Sequence, residues 1–136
     1  MIVFLDASAL IYLIEGSQPF AGRARAELAR LTRKHGDLEI AVSRLAWLEC
    51  RVRPARDNDL QTLVFYDAFF ERPDLQWVEL TREVVELATA IRVKHGLRTP
   101  DALHAASCIH LGKSHVFLTG DAVFRKVDGL TVRLLT

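Results

Sequence analysis

Residues 1–16, MIVFLDASALIYLIEG, decide the reading of the fold. Ile2-Val3-Phe4-Leu5 is a continuous apolar run with β-branched and aromatic members, the pattern of a strand buried on both faces of a parallel sheet. Asp6 ends the run. From Ser8 the period changes: Leu10, Ile11, Leu13 and Ile14 can line one helical face, and Gly16 supplies a stop. A buried strand that passes directly into a helix, with an acid at the junction, is the opening unit of an α/β fold.

The same alternation continues along the chain. Pro19 to His35 has Ala24, Leu28 and Leu31 at helical spacing and Gly36 at its end. Leu38 to Val42 reads as a second strand, after which Ser43 can cap a helix holding Leu45, Trp47, Leu48 and Glu49, with Pro54 expected to end or kink it. Asp57 to Phe70 reads as another helix, closed by Pro73, and is more apolar than one small core requires. Gln76 to Leu80 is a third short strand, and Thr81 can cap a helix that stops at Gly96. In Thr99-Pro100-Asp101 the threonine suits an N-cap, the proline the first helical position and the acid the first turn, and this helix runs to Gly112. His115 to Leu118 is a fourth strand, ending at Thr119-Gly120-Asp121, and Leu130 to Leu134 an edge strand. The expectation is a single domain over residues 1–136, a three-layer α/β/α sandwich around a mainly parallel sheet of four or five strands.

Composition bounds the function. Half of the 136 residues are apolar and 26% are charged, enough for a real core and too ordered a mixture for disorder. Eighteen basic residues against seventeen acidic ones leave a net charge of +1, which excludes a globally basic nucleic-acid coat but allows a local basic patch. Two lone cysteines, Cys50 and Cys108, indicate neither a disulfide framework nor a zinc site. The apolar start lacks a basic n-region and is interrupted by Asp6, and nothing approaches a membrane span, so a soluble, cytoplasmic protein is expected.

Parallel sheets place their sites beyond the carboxyl ends of the strands. Asp6 and Asp121 lie at two such ends, Glu49 on the helix after the second strand and Asp101 in the first turn of a late helix. Taken singly each has an ordinary explanation: a strand-end turn for Asp6, a dipole-favoured acid for Asp101, a turn dipeptide for Asp121 and a solvated helix residue for Glu49. Brought together, four carboxylates would repel unless a hard dication neutralised them, and magnesium or manganese with open coordination positions suits phosphodiester hydrolysis. Ser8 and Thr119 are candidates to position a ligand or water by their hydroxyls. Arg44, Arg51, Arg53 and Arg56 cluster around Glu49 and are candidates to hold RNA phosphates. Arg23, Arg30, Arg33 and Lys34 are as readily a protein contact, and His104, one turn past Asp101, is more ordinarily a packing residue than a general acid.

The segments IVFLDASAL, LAWLEC, LRTPDALHAA and FLTGD resemble the PIN-domain family, most nearly the VapC-type toxins of toxin/antitoxin pairs. The Asp-x-Ser and TPDALHA segments weigh most, and the resemblance runs over essentially the whole chain. It implies metal-binding or catalytic roles for Asp6, Glu49, Asp101 and Asp121, with Ser8 and Thr119 in support. It also implies magnesium- or manganese-dependent endoribonuclease activity, with transfer RNA among the substrates to be tried, homodimerisation and inhibition by a cognate antitoxin. The family commonly carries Asn or Asp before the last acid, whereas this chain has Gly120. Two other classes fit less well. A receiver-like signalling domain would need paired acids after the first strand and a lysine after a late one, where Ser43, Thr81 and Thr119 stand at strand ends. A catalytically silent PIN-like module that binds RNA or protein would be expected to lack one or more of the acids.

Overall fold

The computed structural model describes all residues from 1 to 136. Strand β1 (Ile2–Leu5) is buried at every position and is the centre of a five-stranded sheet of order β3-β2-β1-β4-β5, with β2 at Glu39–Ser43, β3 at Gln76–Val78, β4 at His115–Thr119 and β5 at Val132–Leu134. All four pairings are parallel. Because successive side chains point to opposite faces, Val3 and Leu5 enter one core and Ile2 and Phe4 the other. Each fully buried aliphatic or aromatic side chain here contributes about 1.5–3 kcal/mol, which is why the run carries no polar residue until Asp6.

Helices α1 (Ala7–Glu15), α2 (Phe20–His35), α3 (Arg44–Arg56) and α4 (Leu60–Phe70) supply the core on one face, and α5 (Arg82–His95) and α6 (Thr99–His110) that on the other. The mixed α/β class with helices on both faces of a parallel sheet is as expected. No helix is long and apolar enough to cross a membrane. The order of strands reverses between β1 and β4, and Leu5 lies beside Leu118, so the crevice of the sheet opens where Asp6 and Thr119 follow.

Several boundaries differ from the sequence reading, each for a local reason. Helix α6 begins from Arg98, not from a Thr99 cap: the Thr99 hydroxyl accepts from Arg92 Nη1 at 2.9 Å, and the first helical bond runs from the Ala102 amide to Arg98 O. That helix ends at His110, before Gly112. Helix α4 begins at Leu60 instead of Asp57, because Asp57 closes α3, Asn58 takes a left-handed φ of 53° and Asp59 caps the next helix by accepting from the Thr62 amide. Pro54 does not end α3, which runs on to Arg56. Strand β3 stops at Val78, short of the expected Leu80, and a 3₁₀ turn forms at Ala122–Lys126, where no element was expected. The apolar surplus of α4 is on the surface, where Leu60, Val64 and Phe65 are exposed while Tyr66 and Phe70 are buried. Trp47 and Leu48, which a core reading of α3 would bury, are also exposed.

Candidate active site

Asp6 is built into the fold before any chemistry is asked of it. Its backbone is extended, so it caps α1: Oδ1 accepts from the Ala9 amide at 2.9 Å and from the Ser8 hydroxyl at 2.6 Å. Oδ2 accepts from the Thr119 hydroxyl at 2.6 Å, across the seam between β1 and β4. Ser8 in turn accepts from the Gly120 amide and Thr119 from the Asp121 amide. The two hydroxyls therefore tie the end of β1 to the end of β4 through one carboxylate. Only 4% of Asp6 is exposed, and burial holds its carboxyl above the ordinary carboxylate range against the three donated hydrogen bonds that lower it. The turn explanation and the site explanation describe the same residue.

Asp6, Glu49, Asp101 and Asp121 all line one cavity of about 200 Å³, together with Ser8 and His104. Glu49 arrives from α3, Asp101 from the first turn of α6, and Asp121 from the cap of the 3₁₀ turn, where its carboxylate accepts from the Val123 amide. Thr119 is not on the wall but is fully buried behind it, acting through Asp6. As folded, no three of the acid and imidazole groups stand close enough together to hold an ion. Glu49 is engaged by His104 at 2.5 Å and Asp101 by Arg98 at 3.4 Å. The donor chemistry, hard carboxylate oxygens around a polar cavity with one of them buried and short of a counter-charge, nevertheless fits a hard divalent cation.

Two wall residues carry more than the sequence indicated. His104 is 3% exposed and meets Glu49 through Nε2, while its Nδ1 has no partner. Its place three residues beyond Asp101, on the same helix face, was the signal available for it. Arg98 stands at the mouth of the cavity with its side chain 81% exposed. By contrast, the arginines clustered around Glu49 are each matched to an acid: Arg44 to Glu79, Arg51 to Asp67, Arg53 to Glu15 and Asp57, and Arg56 to Asp57.

Solved structures share this architecture over nearly the full length. VapBC2 from Rickettsia felis, bound to a DNA fragment from its promoter, aligns with a TM-score of 0.76 at 18% identity, covering 98% of each chain. A toxin-antitoxin complex from Klebsiella pneumoniae aligns at 0.71 and 18%, again over 98% of each chain. FitAcB from Neisseria gonorrhoeae gives 0.69 and 16%, over 99% of this chain and 98% of that one. Among curated proteins no sequence match is found. The family model described as "PIN domain" matches residues 3–130, a span that takes in all four acids and both hydroxyls of the seam, and the chain therefore belongs to the PIN-domain family.

Proposed function

We propose that this protein is a metal-dependent endoribonuclease and the toxin of a toxin/antitoxin pair, its activity residing in Asp6, Glu49, Asp101 and Asp121. The observation that carries the reading is the meeting of those four acids, from four separate segments, on one cavity wall. Family membership supports nuclease chemistry with a divalent ion. The likeness in fold to chains of VapBC2 and of a toxin-antitoxin complex supports the assignment to such a pair.

The four carboxylates would hold magnesium or manganese, which when bound polarises a phosphoryl oxygen and makes a bound water a better nucleophile. Asp6 is the fixed member, since Ser8, Thr119 and the Ala9 amide leave its carboxylate a single orientation. Asp101 and Asp121 enter the cavity from the first turn of α6 and the cap of the 3₁₀ turn. Glu49 and His104, already hydrogen-bonded, are the pair able to accept a proton from water or return one to the leaving oxygen. Arg98 can turn from Asp101 to a phosphate oxygen, a charge-assisted contact suited to its planar fork. The exposed apolar residues of α3 and α4, among them Leu48, Val52, Val64 and Phe65, form the surface on which a second copy or the antitoxin would be buried. The protein acts in the cytoplasm on this reading, where its RNA is.

Incubation of purified protein with total RNA and with a transfer-RNA pool, in magnesium or manganese, tests the proposal against EDTA and Asp6→Asn controls. Discrete products lost in both controls are expected. A second reading, a silent PIN-like module that binds RNA or protein, is favoured by the engagement of Glu49 with His104 and of Asp101 with Arg98. Absence of any product in manganese, with the antitoxin removed, would select it.

A further inference from the structure

A second groove lies on the α2 side of the sheet edge, about 440 Å³ in volume, between α2 and β5. Its walls carry Arg23, Arg30, Arg33 and Arg133 against the single carboxylate of Glu27. On α2 these positions follow a helical period, Arg23, Glu27, Arg30 and Arg33, so the charges form a stripe of about 15 Å along one face. Glu27 is shared: Arg30 Nη2 lies 2.5 Å and Arg133 Nε 3.0 Å from its Oε1. Arg23 and Arg33 have no acid partner. This distinguishes the groove from the arginines near Glu49, whose charge is spent on neighbouring acids.

The upper end of the stripe is tied to the acid cavity. Arg23 Nη1 donates to Leu135 O at 3.4 Å, the Leu135 amide donates to Thr119 O at 2.8 Å, and the Thr136 hydroxyl donates to Gly120 O at 3.2 Å. Thr119 and Gly120 are the residues that hold Asp6 and lead into Asp121. The Arg23 end of the groove is thus joined by hydrogen bonds to the segment that holds Asp6 and leads into the acid cavity.

We propose that this groove carries the sugar-phosphate backbone of the RNA beside the cleavage point, an inference that rests on the nuclease reading above. Guanidinium groups spaced along a helix face bind phosphates without reading bases, so the groove contributes affinity and register and not sequence preference. Arg23 and Arg33 are the residues to change, because both are exposed and their removal strands no acid.

The test compares Arg23→Gln/Arg33→Gln with a control of equal charge change on other surfaces, Arg82→Gln/Lys113→Gln. Binding of a short fluorescein-labelled single-stranded RNA is followed by anisotropy at several salt concentrations, in an Asp101→Asn background so that the RNA persists. Cleavage kinetics are measured separately without that substitution. The groove variant is expected to bind more weakly and to flatten the plot of log affinity against log salt by about 1.4, or roughly 0.7 for each lost contact to a single strand. Its KM should rise while kcat holds, and the control should match the parent. Unchanged slope and KM in a protein that binds and cuts RNA would overturn the groove and leave the nuclease standing. Failure of the parent to bind or cut RNA would overturn the nuclease reading and the groove with it.

Discussion

Gly120→Ala asks whether Tyr12 fills the space that a side chain at position 120 would need. A Cβ at position 120 would lie 2.7 Å from Tyr12 Cε2 and 2.9 Å from Cζ, with the hydroxyl oxygen closer still. Carbon atoms rest at about 3.5–4.0 Å, so the ring must withdraw by roughly 1 Å. Its retreat is obstructed, since it stacks on Phe20 with ring centroids 4.7 Å apart and packs against the α1–α4 core. Overpacking of this kind costs about 1–3 kcal/mol. Gly120 does not have a positive φ, so the whole cost is steric and should vanish with the ring. Urea unfolding of the parent, Tyr12→Ala, Gly120→Ala and the double variant forms a cycle. In it the Gly120→Ala change is costly while the tyrosine ring is present and nearly neutral once Tyr12→Ala has removed it. Cleavage should fall as well, because the Gly120 amide donates to Ser8 Oγ at 2.9 Å and Ser8 holds Asp6. Additive effects around the cycle, or a Gly120→Ala protein as stable as the parent, would refute the argument.

Thr119→Val keeps the shape of the side chain and removes the hydroxyl that donates to Asp6 and accepts from the Asp121 amide. A loss of about 1–3 kcal/mol in denaturant unfolding is expected, and a neutral result would mean the β1–β4 seam does not depend on that oxygen. Asp101→Asn should keep the melting temperature and abolish RNA cleavage, because it changes charge with little change of volume; residual cleavage near the parent rate would remove Asp101 from the site. Burial pushes the Cys108 thiol above its ordinary range, whereas the unfolded chain releases that proton above pH about 8.5. The unfolded state then binds fewer protons than the folded one, so stability falls as pH rises from there, by up to about 1.4 kcal/mol per unit for this group. Cys108→Ala should remove that share of the alkaline slope, measured by urea unfolding between pH 8 and 10, and an identical slope would count against it.

The central strands were legible because burial on both faces leaves little choice of residue: Ile2–Leu5 and His115–Leu118 read as strands that lead to Asp6 and Asp121, and the fourth runs one residue further, to Thr119. Asp6 and Asp121 were legible as acids at strand ends and Asp101 as one in a helix's first turn, while Glu49, inside α3, stood out only beside apolar neighbours; the cavity collects all four. What escaped is tertiary. Thr99 looks like a cap until Arg92 takes its hydroxyl, and Arg44 looks like a free phosphate ligand until Glu79, thirty-five residues away, meets it. His104 looks like packing until the fold sets Glu49 against it. Gly120 looks like a missing polar contact until Tyr12, from a different segment, occupies the space. In most of these cases the deciding partner is remote in sequence, where no periodicity or cap rule reaches.

The central position of β1 has a consequence in time. Its two neighbours are β2 and β4, and the register pairs Ile2 with His115, a residue made 113 positions later. At roughly 5–20 residues per second the first strand waits several seconds for that neighbour. Asp6 waits as long for the Thr119 hydroxyl, and Asp101 and Asp121 follow Asp6 by 95 and 115 positions. A growing chain that has not yet reached Asp121 therefore cannot assemble the four-acid wall, however early β1 and α1 form.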